Sequence, residues 1–339
     1  MTFLVDASMY EAHNALPRDV YGDLDTVVRT DLHYHYSTPV CAHRWLAVCD
    51  DEAYGHRALL DRVEGALPPL VDALRVDRGT GRGAGTAPLT FVSLGPGDGA
   101  LDERMLRALD ARMDIKRYVG LDFSFELLRR ATHRLTRAQG WRRPFPVQAV
   151  CGDFNGIDAS ALGFNGIGDA RLFALTGFTI GNYGEDALLA HIRELMRPGD
   201  YLLVDARLHA LGPLPASRAL TPAERQSMLD GYDLKSVREF VFGPVEVATT
   251  ATAADVTFRF DVDRAPTTVP NALRIVIACE GLDTTMRLTG EHVRRAVLDL
   301  AVTTKYHAPD LHAWIASAGF GTVWQDDIGG VGLFLLKRQ

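Results

Sequence analysis

An alternation of short apolar runs with longer amphipathic segments, beginning at residue 89, constrains the fold of this chain most. The run LTFVSL (89–94) ends in a glycine-rich turn, and later apolar runs end at Asp122 and near Asp153. Segments of helical length separate these runs. Strands that alternate with helices of about 10–15 residues are typical of βαβ units and a parallel sheet. The sequence therefore predicts a doubly wound, Rossmann-like α/β domain.

The segments before and inside this alternation can be assigned by pattern. Strands are predicted at 89–94, 118–121, 146–150, 172–176 and 201–204, and helices at 101–113, 124–138 and 185–196. Apolar positions in 55–76 have helical spacing, but Pro68-Pro69 is expected to kink or break that helix, because proline lacks an N–H donor. The glycine-rich stretch 77–88 predicts a flexible surface loop.

The alternation stops near Leu208 and returns close to the end of the sequence. Thr221, with Pro222 and Glu224 after it, has the pattern of a capping box and predicts a helix over 221–240. Residues 245–290 alternate between apolar and polar side chains, which predicts antiparallel strands. The closing α/β segments are a helix at 309–318 and strands around 323 and 332–336.

This interruption predicts two domains. Residues 57–208 plus 305–339 are expected to form the Rossmann-like domain. Residues 1–56 plus 209–304 are expected to form a second α+β domain that binds the substrate.

Composition narrows the range of partners. The 339 residues carry a formal net charge of −7, whereas nucleic-acid binding requires clustered Lys and Arg, so no nucleic-acid partner is expected. No segment approaches the roughly 18 apolar residues of a membrane helix, and the N-terminus lacks a basic leader, so we expect a cytoplasmic protein without a membrane contact. The cysteines and histidines lack the spacings of disulfide or metal sites, and no metal is expected.

The turn after the first strand of the alternation favours a ligand without phosphate. The pattern Gly95-Pro96-Gly97-Asp98-Gly99 lacks the third glycine of a dinucleotide fingerprint, and Asp98 stands where a pyrophosphate would lie. S-adenosylmethionine has no phosphate and carries a sulfonium and an ammonium, which suit an acidic turn. A nicotinamide dehydrogenase and a degenerate site are the alternatives.

The acids at the next strand ends fit the same ligand. In an open parallel sheet, ligands bind beyond the carboxyl ends of the strands. There Asp122 can accept hydrogen bonds from both ribose hydroxyls. Asp153 can approach the adenine amino group, and the Phe154 ring can lie beside the adenine face.

Several segments together resemble one enzyme family. They are FVSLGPGDG (91–99), YVGLDFSFELL (118–128), GDF (152–154), TGFTIGNY (176–183) and LMRPGDYLLVD (195–205), with weaker similarity at 304–306 and 324–326. They resemble the histidine-specific N-methyltransferases of ergothioneine biosynthesis. The resemblance implies a class I methyltransferase sheet, S-adenosylmethionine as cofactor, and a second domain made from the N-terminus and an insertion.

The resemblance also implies roles for individual residues. The residues expected at the cofactor are Gly95, Gly97, Asp122, Asp153, Phe154 and Tyr54. Asn182 and Tyr232 match the pair that holds the carboxylate of the amino acid, and Tyr36, with Tyr34 as its rival, matches the tyrosine that approaches the amine. The family's imidazole-binding Glu and Ser correspond here to Ala301 and Thr303, just before Lys305.

The missing acid at Ala301 removes a reason to prefer histidine, because polar groups in a pocket set much of its selectivity. The sequence therefore predicts N-methylation of a free L-amino acid other than histidine, in specialised metabolism. Methylation of the guanidino group of arginine, trimethylation of the histidine α-amine, and a silent regulatory protein that binds S-adenosylmethionine remain as alternatives.

Overall fold

The computed structural model describes residues 2–5, 32–79, 88–160, 162–164, 170–214 and 218–339. Its strands are β1 (Thr2–Val5), β2 (Leu89–Leu94), β3 (Ile115–Asp122), β4 (Val147–Cys151), β5 (Ala170–Leu175), β6 (Tyr201–Arg207), β7 (Thr257–Arg264), β8 (Leu273–Thr285), β9 (His292–Lys305), β10 (Phe320–Asp327) and β11 (Val331–Arg338). Its α-helices are α1 (Pro39–Asp50), α2 (His56–Asp77), α3 (Ala100–Asp110), α4 (Phe125–Arg137), α5 (Glu185–Leu195), α6 (Pro222–Leu229), α7 (Lys235–Ala248) and α8 (Ala308–Ser317). Most of the predicted glycine-rich loop, residues 80–87, lies outside the described residues.

The strands of the predicted α/β part form one eight-stranded sheet together with β1, in the order β1-β4-β3-β2-β5-β6-β11-β10. Strand β1 was not predicted, and it pairs with β4 of this sheet although residues 1–56 were expected in the second domain. Pairing is parallel from β1 to β6, and β11 pairs antiparallel with both β6 and β10. All six side chains of β2 are buried, as expected for a central strand covered by helices on both faces. The predicted class I methyltransferase fold is confirmed.

The expected break at Pro68-Pro69 was wrong. Helix α2 runs through both prolines over 22 residues. Its buried face packs on the main sheet and includes Val63, Leu67 and Leu74. Burial of that apolar face stabilises the helix by more than the lost N–H groups cost it.

The predicted helix start at Thr221 is confirmed, whereas the predicted end of that helix and the predicted start of the following strands were wrong. The capping box of Thr221 and Glu224 is present, but the helix ends at Leu229 and a second one begins at Lys235. Gly231 lies between them at φ 84°, a left-handed conformation that stops an α-helix. Helix α7 then runs to Ala248, so the first strand of this region begins at Thr257 rather than near residue 245.

Strands β7, β8 and β9 form a separate antiparallel sheet, and β9 was not predicted. This sheet and helix α7 share a hydrophobic core distinct from the two clusters that cover the main sheet. The division into two domains stays a prediction.

A close contact between the turn after β5 and strand β9 positions the site. A Cβ on Gly181, in the 3₁₀ turn after β5, would lie 2.7 Å from the Thr304 carbonyl oxygen of β9. Only glycine permits this approach.

Candidate active site

A cleft lies at the carboxyl ends of β2 to β5, where the sequence placed its ligand. On the side of the main sheet it is lined by the residues Gly95, Gly97, Asp98, Asp122, Phe123 and Phe154. It is also lined by Tyr36, Trp45 and His56 and, from the turn after β5, by Thr179, Asn182 and Tyr183. The structure therefore brings one set of predicted cofactor residues and one set of predicted substrate residues to the same cavity.

The turn after β2 is held open toward the cleft by its glycines. Gly95 and Gly97 have φ values of 78° and 55°, which side chains other than glycine rarely adopt. The Gly97 N–H donates to Asp122 Oδ2 at 3.2 Å, and the Ser124 N–H donates to Oδ1 at 2.8 Å. The Asp122 carboxylate is therefore fixed in place at the end of β3, with both oxygens oriented by the backbone.

The buried position of Asp122 disfavours the charged form of its carboxyl group. Burial raises the pKa of its carboxyl to about 7, although the two backbone N–H groups lower it. A ligand that donates hydroxyl hydrogens to the carboxylate favours the charged form. The buried carboxylate and the open glycine turn together fit the ribose of S-adenosylmethionine.

This pKa predicts a pH dependence of nucleoside binding. Since the ribose hydroxyls require the ionised carboxylate, affinity should be full above pH 7 and should fall by up to about tenfold per pH unit below it. Adenosine is the best probe, because it lacks the titrating amino-acid part of the full ligand. Calorimetric titrations from about pH 6 to about pH 8.5 measure this. The Asp122→Asn variant should bind weakly at every pH.

A second buried carboxyl supplies the control for this experiment. Asp102 accepts a hydrogen bond from the Tyr118 hydroxyl at 2.6 Å, and burial raises its pKa to about 6, but it does not line the cleft. Asp102→Asn should therefore keep the pH dependence. An unchanged slope in Asp122→Asn would show that another group titrates.

The other acids near the cleft have partners of their own. Asp98 lines the cleft and also accepts a hydrogen bond from Arg134 at 2.7 Å, which neutralises part of its charge. Asp153 accepts from the Asn155 N–H at 2.8 Å and is not one of the lining residues, whereas the following Phe154 is. The Phe154 ring meets Tyr183 edge to face at 5.4 Å between centroids. The predicted adenine contact of Asp153 stays a prediction.

Two of the predicted substrate residues line the cleft. The Asn182 side-chain amide makes no hydrogen bond within the described residues, so its donor and acceptor remain available to a ligand. Of the two candidates Tyr34 and Tyr36, Tyr36 is the one that lines the cleft. Burial and the neighbouring phenols of Tyr54 and Tyr183 raise the pKa of Tyr36 well above that of a free phenol. Tyr36 is therefore a neutral hydrogen-bonding group at neutral pH, not a base.

The remaining predicted residues form a cluster beside the cleft, which we name the Arg207 cluster: Arg207, Tyr54, Phe178, Tyr232, Thr303 and Lys305. The Tyr54 ring contacts Tyr232 at 6.4 Å and the cleft residue Trp45 at 6.2 Å, and its predicted role at the cofactor stays a prediction. Tyr232 is 5% exposed, and its hydroxyl has no regular hydrogen bond. Burial raises the pKa of Tyr232 to about 12, although Arg207 and the nearby Thr303 hydroxyl lower it.

Sequence reasoning missed several residues at these two places. Tyr183 directly follows the predicted Asn182 and could have been included on that ground. Trp45 lies in α1 and His56 at the start of α2, and both reach the cleft through tertiary packing. No local sequence pattern marks either of them as a cleft residue. Arg207 stands two residues beyond segment 195–205, one of those quoted for the family resemblance.

Two other features, a metal site and a membrane-spanning helix, are absent from the part of the chain that the structure describes. There, no group of three or more His, Cys, Asp or Glu side chains is arranged to hold a metal ion. No helix in those ranges is long and apolar enough to cross a membrane.

Comparisons with known proteins agree with the geometry of the cleft. Residues 80–209 match the family model described as histidine-specific methyltransferase, SAM-dependent. This segment contains the glycine turn, Asp122, Phe154 and Asn182. No curated protein was found to match the sequence.

The chain is also similar, at low sequence identity, to solved structures of several methyltransferases. A methyltransferase from Clostridium acetobutylicum is 11% identical, with 88% of this chain and 99% of that one covered and a TM-score of 0.43. The 1,6-didemethyltoxoflavin-N1-methyltransferase of Burkholderia thailandensis is 13% identical, with 88% and 90% covered and a TM-score of 0.39. The magnesium protoporphyrin IX methyltransferase of Synechocystis is 13% identical, with 94% and 100% covered and a TM-score of 0.42.

Similarities of that size carry no information about the substrate. The sheet order, the glycine turn with its buried Asp122 and the family match concern the cofactor, and they agree. The chain is therefore an S-adenosylmethionine-dependent methyltransferase, and its residues 80–209 match the model of the histidine-specific methyltransferase family.

Proposed function

We propose that this enzyme methylates a nitrogen of a free L-amino acid other than histidine. The observation that carries the proposal is the Asn182 amide, which lines the cofactor cleft without a hydrogen-bonding partner among the described residues. An amide N–H can donate to a carboxylate, and its carbonyl can accept from an amine. A free amino acid presents both groups next to each other.

The chemistry requires orientation more than acid–base catalysis. S-adenosylmethionine, when bound, supplies a methyl group on a sulfonium, which is already a good leaving group. The protein must hold the acceptor nitrogen about 3 Å from that methyl group, unprotonated and in line. Asn182 orients the acceptor, and the neutral Tyr36 phenol can accept a hydrogen bond from the amine. Trp45 and Tyr183 exclude water from the same space.

The amino-acid side chain is proposed to extend toward β9. The contact between Gly181 and Thr304 brings the turn that carries Asn182 against this strand. A Cβ on Gly181 would lie 3.6 Å from the Thr303 hydroxyl, so Thr303 is close to the same turn. Ala301 lies two residues earlier on β9 and therefore shares the face of Thr303. With alanine at 301, that position offers no carboxylate to an imidazole.

The test is a competition. The enzyme is offered S-adenosylmethionine and all proteinogenic amino acids at equal concentration, and mass spectrometry identifies the methylated product and the number of methyl groups. We expect an N-methylated amino acid other than histidine. Clean trimethylation of histidine would contradict the altered specificity, and turnover of no amino acid would contradict the proposed function.

Restoring the acid gives a matched prediction. The Ala301→Glu variant should shift the ratio of kcat/KM toward histidine by about 10-fold or more, because a carboxylate hydrogen-bonded to an imidazole contributes about 1.5–3 kcal/mol. The control is Ala301→Gln, which has the same size without the charge and should shift the ratio less. Equal ratios in the wild type and in both variants would place Ala301 outside the side-chain pocket.

A further inference from the structure

The segment that carries Asn182 is a short turn whose start is strained. It comprises Thr179–Asn182 and follows Phe178, which has a φ of 63°, a left-handed conformation that a bulky side chain rarely adopts. Asp205 of β6 accepts hydrogen bonds from the Gly177 N–H at 2.9 Å and the Phe178 N–H at 2.7 Å. These two bonds hold the start of the turn, whereas Asn182 lies at its end.

One buried hydroxyl group contacts the chain on both sides of Asn182. The Tyr306 hydroxyl donates a hydrogen bond to Glu185 Oε1 at 2.7 Å, and it lies 3.3 Å from the Ile180 carbonyl oxygen. Ile180 stands two residues before Asn182, and Glu185, the first residue of α5, stands three residues after it. Tyr306 therefore ties the turn and the start of the helix to one point.

Tyr306 has a fixed position of its own. It directly follows β9, its N–H donates to the Arg207 carbonyl oxygen at 2.9 Å, and its carbonyl oxygen accepts from the His209 N–H at 2.9 Å. Burial and the charge of Glu185 raise the pKa of Tyr306 well above that of a free phenol, although the Thr304 hydroxyl lowers it. The Tyr306 hydroxyl therefore keeps its proton and acts as a donor at neutral pH.

The hydrogen bond between Tyr306 and Glu185 is buried on both sides. Tyr306 is fully buried, and Glu185 is 6% exposed. A carboxyl group that loses its donor inside a protein is not compensated by water, so the segment around it shifts or loosens. Such a shift would fall on residues 180–185, and Asn182 lines the cleft from the middle of that segment.

We propose that Tyr306 is a positioning residue for methyl transfer: its hydroxyl, bonded to Glu185, holds Asn182 in the orientation that aligns the acceptor nitrogen with the methyl group. This inference rests on the proposed function and adds a residue that acts through Asn182 without lining the cleft itself. Thr303 and Tyr306 belong to one short stretch of chain. The strand that borders the proposed side-chain pocket would therefore also fix the group that orients the acceptor.

A double-mutant cycle tests whether Tyr306 acts through Asn182. With the acceptor identified in the competition assay, Tyr306→Phe should lower kcat/KM by about 10-fold or more, chiefly through kcat, because a misaligned acceptor loses its orientation in the transition state. In the Asn182→Ala background the same replacement should cost less than about twofold, since the group that it positions is gone. Equal losses in the two backgrounds would overturn the proposal.

Replacements of Glu185 test the hydrogen bond from its other side. Glu185→Gln keeps an oxygen that accepts from the Tyr306 hydroxyl and should keep kcat/KM within about threefold of the wild type. Glu185→Leu removes the acceptor and should lose as much activity as Tyr306→Phe. The same loss in Glu185→Gln as in Glu185→Leu would contradict a role of the hydrogen bond.

Tyr201→Phe is the matched control. The Tyr201 hydroxyl donates to Asp77 Oδ2 at 2.7 Å and Tyr201 is 2% exposed, but neither residue lines the cleft. Both Tyr201→Phe and Tyr306→Phe should bind S-adenosylhomocysteine within about twofold of the wild type, and only Tyr306→Phe should lose kcat/KM. An equal loss of kcat/KM in Tyr201→Phe, or a loss of nucleoside affinity in Tyr306→Phe, would contradict a role confined to the acceptor.

Hydrogen exchange separates this inference from the proposed function, because it requires no acceptor. In Tyr306→Phe the amides of residues 177–188 should exchange faster, among them the Gly181 N–H that bonds the Phe178 carbonyl oxygen at 3.1 Å, whereas Tyr201→Phe should keep the wild-type rates there. Faster exchange in this segment without methyl transfer to any amino acid would support the role of Tyr306 in holding the turn and contradict the proposed reaction. Unchanged exchange would overturn the role of Tyr306, whatever the acceptor.

Discussion

Replacing Asp122 with alanine is expected to weaken binding of S-adenosylmethionine by about 3 kcal/mol, which is about 150-fold. The variant removes the charged acceptor of the ribose hydroxyls and also leaves the Gly97 and Ser124 N–H groups without their partner. Calorimetry with S-adenosylmethionine and with S-adenosylhomocysteine measures the loss, which should be similar for both because they share the ribose.

Asp122→Asn separates the two causes. It keeps an acceptor for one of the backbone N–H groups while losing the charge. It also removes a buried carboxyl whose pKa burial raises to about 7, so its thermal stability at pH 8 should be no lower than that of the wild type. Wild-type affinity in either variant would mean that the ribose lies elsewhere in the cleft.

Replacing Asn182 with alanine is expected to lower kcat/KM for the amino acid by about 10- to 1000-fold. The side-chain amide is the cleft group proposed to orient the acceptor, and a misplaced nucleophile loses the alignment on which the rate depends. Steady-state kinetics with the amino acid identified in the competition assay measure the effect. The affinity for S-adenosylmethionine should stay within about twofold, because Asn182 is proposed to bind the acceptor and not the methyl donor.

Asn182→Asp is the sharper variant. It preserves size and shape but places a negative charge beside the substrate carboxylate, so its kcat/KM should fall below that of Asn182→Ala. A purely structural role predicts the opposite order, since aspartate fills the space that alanine leaves empty. Activity near the wild-type level in both variants would exclude Asn182 from the acceptor site.

The cofactor half of this protein was largely predictable from sequence because its signals are local. The buried run LTFVSL is followed by a glycine turn, and the next strand ends in Asp122. This local order indicates both the fold and the edge of the sheet where the ligand binds. The helix predicted from residue 124 begins at Phe125, and Ser124 caps it, since its hydroxyl accepts from the Leu127 N–H. These features depend on neighbours within a few residues.

The acceptor half was harder because its contacts are distant in sequence. Arg207 and Tyr54 are 153 positions apart in the printed numbering, and no periodicity links them. Burial overrode local propensity at Pro68-Pro69, where a well-packed apolar face maintains the helix. Conversely, Gly231 ended a helix that side-chain pattern alone would have continued. Whether a helix continues through such residues depends on tertiary packing, which the local sequence pattern does not reveal.

Strand β9 has a consequence for how this enzyme could acquire new substrates. It is an edge strand of the three-stranded sheet, alternate residues Ala301, Thr303 and Lys305 share one of its faces, and Thr303 lies close to the turn of Asn182. The cofactor turn after β2 belongs to a different sheet. A codon library limited to positions 301 and 303 is therefore expected to vary the acceptor preference without changing the methyl-donor pocket. Directed evolution of new substrates would best begin at this strand.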